Sequence, residues 1–232
     1  MAEPGESIGI CGPTGAGKST IINILTRYYD IDSGQILIDG QDLAKLTQKS
    51  LREQVGVVLQ ESFLFSDTVM NNLKYAREGA TDEECIEAAK QANAHDFIEN
   101  LPQGYDTMLT DRGANLSQGQ RQMVTIARAM VADPKIMILD EATSNVDTRT
   151  EKLIQDGLRK LMEGKTGFSI AHRLATIAGS SRIMVVNGGV IVEMDSHQKL
   201  MAEQGFYYNL YMSQFKGKGP GGEVDTSGFV ST

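Results

Sequence analysis

The sequence predicts an α/β fold, a mostly parallel sheet flanked by helices and interrupted by an all-helical insertion. Three observations carry this. Short apolar runs alternate with amphipathic stretches in the first part of the chain. From about Asp67 to Arg128 strand character almost vanishes. It returns at Ile136, Phe168 and Arg182, again between helix-like segments.

Taken in order, Ser7-Ile8-Gly9-Ile10-Cys11 reads as a short strand ending at a glycine. Gly17 to Tyr29 follows as a helix, with Ile21, Ile22, Leu25 and Tyr28 on one face. Gln35 to Gly40 reads as a strand closed by a turn, Leu43 to Glu53 as a short amphipathic helix, and Val55 to Leu59 as a buried strand. In the middle, Thr81-Asp82-Glu83-Glu84 is a capping box, in which the threonine hydroxyl and Glu84 satisfy each other's orphan amides. The helix behind it carries Cys85, Ala89 and Ala92 on one stripe, and Leu101-Pro102-Gln103-Gly104 breaks it. Leu116-Ser117-Gln118-Gly119 opens another helix, running to Val131. Ile136–Leu139, Phe168–Ala171 and Arg182–Asn187 are strands. Gly188-Gly189 is a hairpin turn into Val190–Glu193. Arg149 to Met162 is a helix with Ile154, Leu158 and Leu161 at i, i+4, i+7, and His197 to Phe215 is helical again. From Lys216 the composition collapses into glycine, proline and polar residues, the signature of a tail.

Composition narrows the function. The chain has 232 residues, 22 basic and 30 acidic side chains, and a net charge of −8. An acidic chain without a basic stripe is a poor partner for nucleic acid. No apolar stretch approaches the eighteen or so residues of a membrane span. Met1-Ala2-Glu3-Pro4-Gly5-Glu6 is acidic and lacks the basic and apolar regions of a signal peptide. Cys11 and Cys85 make no disulfide framework and fit a reducing compartment.

Gly12-Pro13-Thr14-Gly15-Ala16-Gly17-Lys18-Ser19 fits the pattern G-x-x-x-x-G-K-[ST], after a strand and at the opening of a helix. The glycines let backbone amides curl around phosphate oxygens, and the helix start adds partial positive charge. Lys18 would reach the β and γ phosphates, Ser19 would place a hydroxyl on Mg²⁺, and Thr20 closes the site. A chance match in a chain of this composition has odds on the order of 1 in 100, and the strand–loop–helix context lowers them. Ile136-Met137-Ile138-Leu139-Asp140-Glu141 runs four apolar residues into two carboxylates. A strand of a parallel sheet delivers its C-terminal end where ligands bind. Asp140 would hold Mg²⁺, and Glu141 would polarise an attacking water.

These residues resemble those of an ATP-binding cassette (ABC) nucleotide-binding domain, of the exporter type. The deciding feature is Leu116-Ser117-Gln118-Gly119-Gln120, which matches the family signature L-S-G-G-Q except at Gln118. The resemblance implies a P-loop NTPase with a RecA-like core, MgATP as ligand, and hydrolysis of ATP. It implies that Ser117 and Gly119 meet the γ phosphate of ATP bound on a second nucleotide-binding domain, in a head-to-tail sandwich dimer. Gln60 matches the family's Q-loop glutamine, a ligand to Mg²⁺ and water. Ser144-Asn145-Val146-Asp147 resembles the D-loop, with Asp147 its acid. His172 matches the switch histidine. Thr110-Asp111-Arg112-Gly113 falls where exporters contact their transmembrane helices. His95 and His197 have no partner signal and read as structural.

The resemblance divides the chain into a core of residues 1–66 and 129–215, a helical subdomain of residues 67–128, and a flexible tail of residues 216–232. It implies a transmembrane partner domain and a place on the cytoplasmic face of the cell membrane, with no nucleic acid partner. Family members carry some twenty to thirty residues ahead of Glu3, including an aromatic that stacks on adenine. Here Met1 to Cys11 contains no Tyr, Phe, Trp or His, so the sequence reads as a C-terminal piece of an exporter polypeptide. Two other readings stand beside it: a soluble, non-transport ATPase of the same family, and the non-catalytic half of a heterodimer. Neither long coiled-coil insertions nor a second cassette appears, and Glu141, His172 and Ser117 are all intact.

Overall fold

A computed structural model describes residues 1–59, 62–140, 146–171 and 173–216. The chain divides into two compact units: Met1–Ser7 with Ser19–Ile170, and Ile8–Lys18 with the chain from Ala171 on.

The first unit holds most of the helices. α1 (Lys18–Leu25) ends earlier than the apolar spacing suggests. The Thr26 hydroxyl donates back to the Ile22 carbonyl, Arg27 takes a φ of 53°, and Tyr28, expected on the buried face, is 68% exposed. Of the expected strand at 35–40 only β2 (Leu37–Ile38) forms, paired antiparallel with β3 (Gln41–Asp42) around Asp39-Gly40. The stretch from Leu43 splits into a 3-10 turn and α2 (Gln48–Gln54), because Thr47 breaks in as a new N-cap. β4 (Val55–Val58) pairs parallel with β5 (Ile136–Asp140), which pairs parallel with β6 (Thr166–Ile170).

Between β4 and β5 the described chain is helical: α3 (Val69–Lys74), α4 (Asp82–Gln91), α5 (His95–Glu99) and α6 (Gln118–Ala132). The Thr81–Glu84 capping box forms, and Cys85, Ala89 and Ala92 are fully buried. α4 stops at Ala92, where Asn93 turns left-handed, well before Leu101. α7 (Thr148–Met162) buries Ile154, Leu158 and Leu161 as its spacing requires. One core joins α3, α4, α6 and α7 through Leu73, Ala89, Ile126 and Ile154. Apolar surface buried in such a cluster stabilises the fold by roughly 25 cal/mol per Å².

The second unit is built on β1 (Ser7–Cys11), β7 (Arg182–Asn187) and β8 (Val190–Asp195). β1 pairs parallel with β7, and β7 turns at Gly188-Gly189 into the antiparallel β8. Both glycines have positive φ, which this tight turn demands. A short helix the spacing does not announce, α8 (Leu174–Ile177), packs Ile177 onto Gly9 of β1. The expected C-terminal helix is two, α9 (His197–Glu203) and α10 (Phe206–Lys216), broken where Gln204 turns left-handed. The Glu193 carboxylate then accepts the Phe206 and Tyr207 amides, and Gly205 leaves it room. Cys11, Ile183, Val185, Leu200 and Tyr207 form this unit's core.

Candidate functional site

The loop after β1 is shaped by contacts only glycine allows. Gly12 has φ 153°, and a Cβ there would overlap the Val186 carbonyl oxygen on β7. Gly15 and Gly17 have φ of 78° and 102°. The Ala16 amide donates to Pro13 at 3.1 Å, and Gly189 of the β7–β8 turn donates to the Ala16 carbonyl at 3.0 Å. The loop is thus seated on that hairpin turn. The Lys18 ammonium donates to the Gly12 and Pro13 carbonyls at 2.9 Å each, so the cation lies across the loop it closes. Behind it the Cys11 thiol is fully buried, and burial pushes it up to about 12, leaving it neutral.

Ser19 and Thr20, in the first turn of α1, are exposed. Among the described residues neither side chain makes a hydrogen bond, and the first turn carries no acid. Asp140 closes β5, half-buried and opposite Ile170 of β6.

The start of α6 is built differently. Ser117 is its N-cap: its hydroxyl accepts the Gln120 amide at 3.2 Å, and the Gln120 side chain accepts the Ser117 amide at 2.9 Å. Leu116 is buried beneath, and Gln118 is exposed. Gly119 is buried, because a Cβ there would strike the Thr150 methyl and touch Val146. The structure therefore packs the start of α6 against the start of α7, joining segments the sequence presents thirty residues apart (about one element each). Asp147 caps α7, accepting the Arg149 and Thr150 amides at 3.1 and 3.0 Å. The Thr150 side chain and those amides hold its carboxyl below the usual range.

Gln60, Glu141, His172 and Ser144-Asn145 lie outside the described residues. His95 and His197, which read as structural in the sequence, each pair Nδ1 with a tyrosine hydroxyl ten residues on, Tyr105 at 2.9 Å and Tyr207 at 2.8 Å. Among the described residues no group of three His, Cys, Asp or Glu side chains could hold a metal alone.

Three residues escaped the sequence reading. Arg121 donates to the Leu116 carbonyl at 2.6 Å and fixes the approach to Ser117. Asn72, 1% exposed, both accepts from and donates to the Phe65 backbone. Arg128 of α6 donates to the Phe63 carbonyl at 2.8 Å. Arg128 serves a backbone group far along the chain, which no local pattern reveals.

Comparison with known proteins agrees with this geometry. A family model described as ABC transporter matches residues 1–144. "Uncharacterized ABC transporter ATP-binding protein YfiC" of Bacillus subtilis is 54% identical over 212 residues, covering 91% of this chain and 35% of that protein. "ATP-dependent lipid A-core flippase" of Syntrophus aciditrophicus is 49% identical over 220 residues, covering 95% and 37%. A solved structure, "Structure of a bacterial Atm1-family ABC exporter with ATP bound", superposes with a TM-score of 0.87 at 46% identity, over 96% of this chain and 38% of that one. The chain thus spans little more than a third of each. The fold class read from the sequence, a P-loop α/β fold with mostly parallel strands, is the one observed.

Proposed function

This chain belongs to the ABC transporter family, and from that premise we propose that it is the ATP-binding and ATP-hydrolysing domain of an exporter. The observation that carries the reading is the loop from Gly12 to Lys18: three glycines in conformations or contacts closed to other residues, ending in a lysine at a helix start. Such a loop turns its amides toward one concave face, which suits phosphate oxygens.

The residues fit Mg²⁺ with ATP. The donors are hard oxygens, the unbonded Ser19 hydroxyl and the Asp140 carboxylate, and too few to hold the ion without the nucleotide's phosphates. When bound, Mg²⁺ neutralises charge on those phosphates. Lys18 leaves the Gly12 and Pro13 carbonyls for the phosphate oxygens. Ser19, Gln60 and Asp140 hold the ion's side of the site. Glu141 orients the attacking water, with His172 beside the γ phosphate. Catalysis is positioning plus electrostatics, with little covalent work for the protein.

The partner is a second nucleotide-binding domain, identical or different, whose own Ser117-type serine completes the site. On this chain Ser117 and Gly119 serve the partner's ATP in return, with Leu116, Gln118 and Gln120 shaping the turn and Asp147 ordering the neighbouring segment. The division into a core of residues 1–66 and 129–215, a helical subdomain of residues 67–128 and a tail of residues 216–232 goes with this reading, as do a transmembrane partner and the cytoplasmic face of the membrane. The flippase relative and the ATP-bound exporter structure point the same way.

Glu141→Gln is the test. It keeps ATP binding and lowers steady turnover by about 10²–10⁴-fold, while Lys18→Ala loses the binding itself. Both are read by calorimetry and phosphate release. A Glu141→Gln protein that retains more than about a tenth of the parent rate overturns the assignment of that residue.

A further inference from the structure

The β7–β8 hairpin that seats the phosphate loop is itself tied to the last helix. β7 meets the loop at Val186, whose carbonyl oxygen lies where a Cβ on Gly12 would stand, and the Gly189 amide of the turn reaches the Ala16 carbonyl. The β7–β8 ladder is irregular at the same place. Val185 pairs with Glu193 but Val186 pairs with Ile191, which leaves Val192 as an extra residue in β8. Such a bulge bends its strand and re-aims the side chains beside it. Val190, Ile191 and Val192 are exposed, while Glu193, just past the bulge, is half-buried.

Glu193 grips the start of α10 with both oxygens. Oε1 accepts the Phe206 amide at 2.6 Å, and Oε2 accepts the Tyr207 amide at 2.9 Å. A Cβ on Gly205 would overlap this carboxylate, so the residue ahead of the helix is kept small for it. Taking a carboxylate partly out of water costs free energy that a neutral cap avoids, and a serine or asparagine would satisfy an orphan amide equally well. What the carboxylate adds is a two-point hold. Charge-assisted bonds are the stronger kind, and two oxygens set an angle as well as a distance. Tyr207, held in this way, is fully buried in the core that also contains Cys11, the residue before Gly12. The hairpin thus meets the phosphate loop at Val186 and Gly189 and meets α10 at Glu193.

We propose that Glu193 is a positioning residue for nucleotide binding: its hold on the start of α10 fixes the bulged hairpin that shapes the loop from Gly12 to Lys18. It touches no phosphate itself. Its loss lets the bulge relax, moves the Val186 carbonyl relative to Gly12, and leaves the loop amides less well aligned for phosphate oxygens. The start of α10 is thereby a handle on the nucleotide site. The inference rests on the nucleotide reading of that loop.

The experiment is MgATP titration and steady-state hydrolysis on the protein at its full natural length. Glu193→Ala raises Kd and KM for ATP about fivefold or more, the scale of a typical coupling between sites, and moves kcat far less. Glu193→Gln keeps one acceptor oxygen and falls between that variant and the parent. Gly205→Ala crowds the carboxylate without removing it and shifts KM in the same direction. Leu200→Ala is the comparison, since Leu200 lies in the same core on α9 and takes no part in the hold. It opens a cavity and lowers the melting temperature, but KM stays within about twofold of the parent. Should Glu193→Ala not fold, Glu193→Gln and Gly205→Ala carry the same comparison. A KM for the Glu193 variants equal to the parent's overturns the inference alone, and so does a Leu200→Ala protein whose KM rises as much as theirs, because the effect is then a general loss of stability. A parent that binds no MgATP overturns the nucleotide reading and this inference with it.

Discussion

Ser19 and Ser117 stand at the starts of two helices beside functional glycines, and the two places use the same residue types in opposite ways. In the phosphate loop the glycines are there for the backbone: Gly15 and Gly17 take positive φ, and Gly12 lies on the Val186 carbonyl. Its serine hydroxyl makes no hydrogen bond among the described residues. At the signature, Gly119 has no special backbone angle and is glycine so that α7 can approach. Its serine hydroxyl is engaged as a cap, accepting one amide. A hydroxyl that accepts still has a proton to donate, so Ser117 can hold its helix and face an anion at once. The loop is kept open for a ligand. The signature is self-satisfied and presents one remaining donor.

Alanine at the two glycines separates these causes, with the largest effect first. Gly12→Ala sets a Cβ against backbone that cannot rotate away. It should cost about 3 kcal/mol, lowering the melting temperature by roughly 6–12 °C, and abolish ATP binding. Gly119→Ala meets a threonine methyl at the tip of a side chain, which can turn. About 1–2 kcal/mol is expected, with ATP binding to the isolated domain intact. Thermal melts and nucleotide titrations on both variants check this. Equal melting temperatures would mean that the close approach of β7 to the loop is not what fixes Gly12.

What the sequence made legible follows the same division. The phosphate loop could be read because its chemistry is in the backbone, and only glycine supplies that backbone. The Thr81 box and the Gly188-Gly189 turn were readable for the same local reason. Helix ends were not. Arg27, Asn93 and Gln204 turn left-handed without being glycine, so the apolar spacing ran on past the true stops at Leu25, Gln91 and Glu203. The pairing of Gly119 with Thr150 and the grip of Arg128 on Phe63 depend on which elements become neighbours. Residues 63 and 128 are far apart in the chain, and a main-chain acceptor leaves no mark on composition.

A smaller effect tests the two serines. Ser117→Ala removes an N-cap and should destabilise by about 1 kcal/mol, a fall of roughly 2–4 °C in melting temperature. Ser19→Ala removes a hydroxyl that bonds to nothing described, and the melting temperature without ligand should not move. With Mg²⁺ and ATP the order reverses, since ATP stabilises the parent far more than Ser19→Ala. A Ser19→Ala protein that gains as much stability from MgATP as the parent does would remove Ser19 from the metal's side of the site.

The smallest effect is at Asp147, the N-cap of α7. Its carboxyl accepts the Arg149 and Thr150 amides, and the Thr150 side chain and these bonds favour the ionised form. A carboxyl depressed in the folded chain binds its proton more readily when unfolded. Its stabilisation is therefore fully present above the ordinary carboxyl value of 3.8 and is lost as pH falls through the lower, folded value. Asp147→Asn keeps the capping acceptor and removes only the charge. The parent should melt on the order of 1 °C above the variant at pH 6, and the gap should narrow as pH falls below 3.8. Other acids titrate equally in both proteins and cancel in the difference. A gap that persists unchanged to pH 3 would show that the cap works by geometry alone, as the neutral Ser117 cap does.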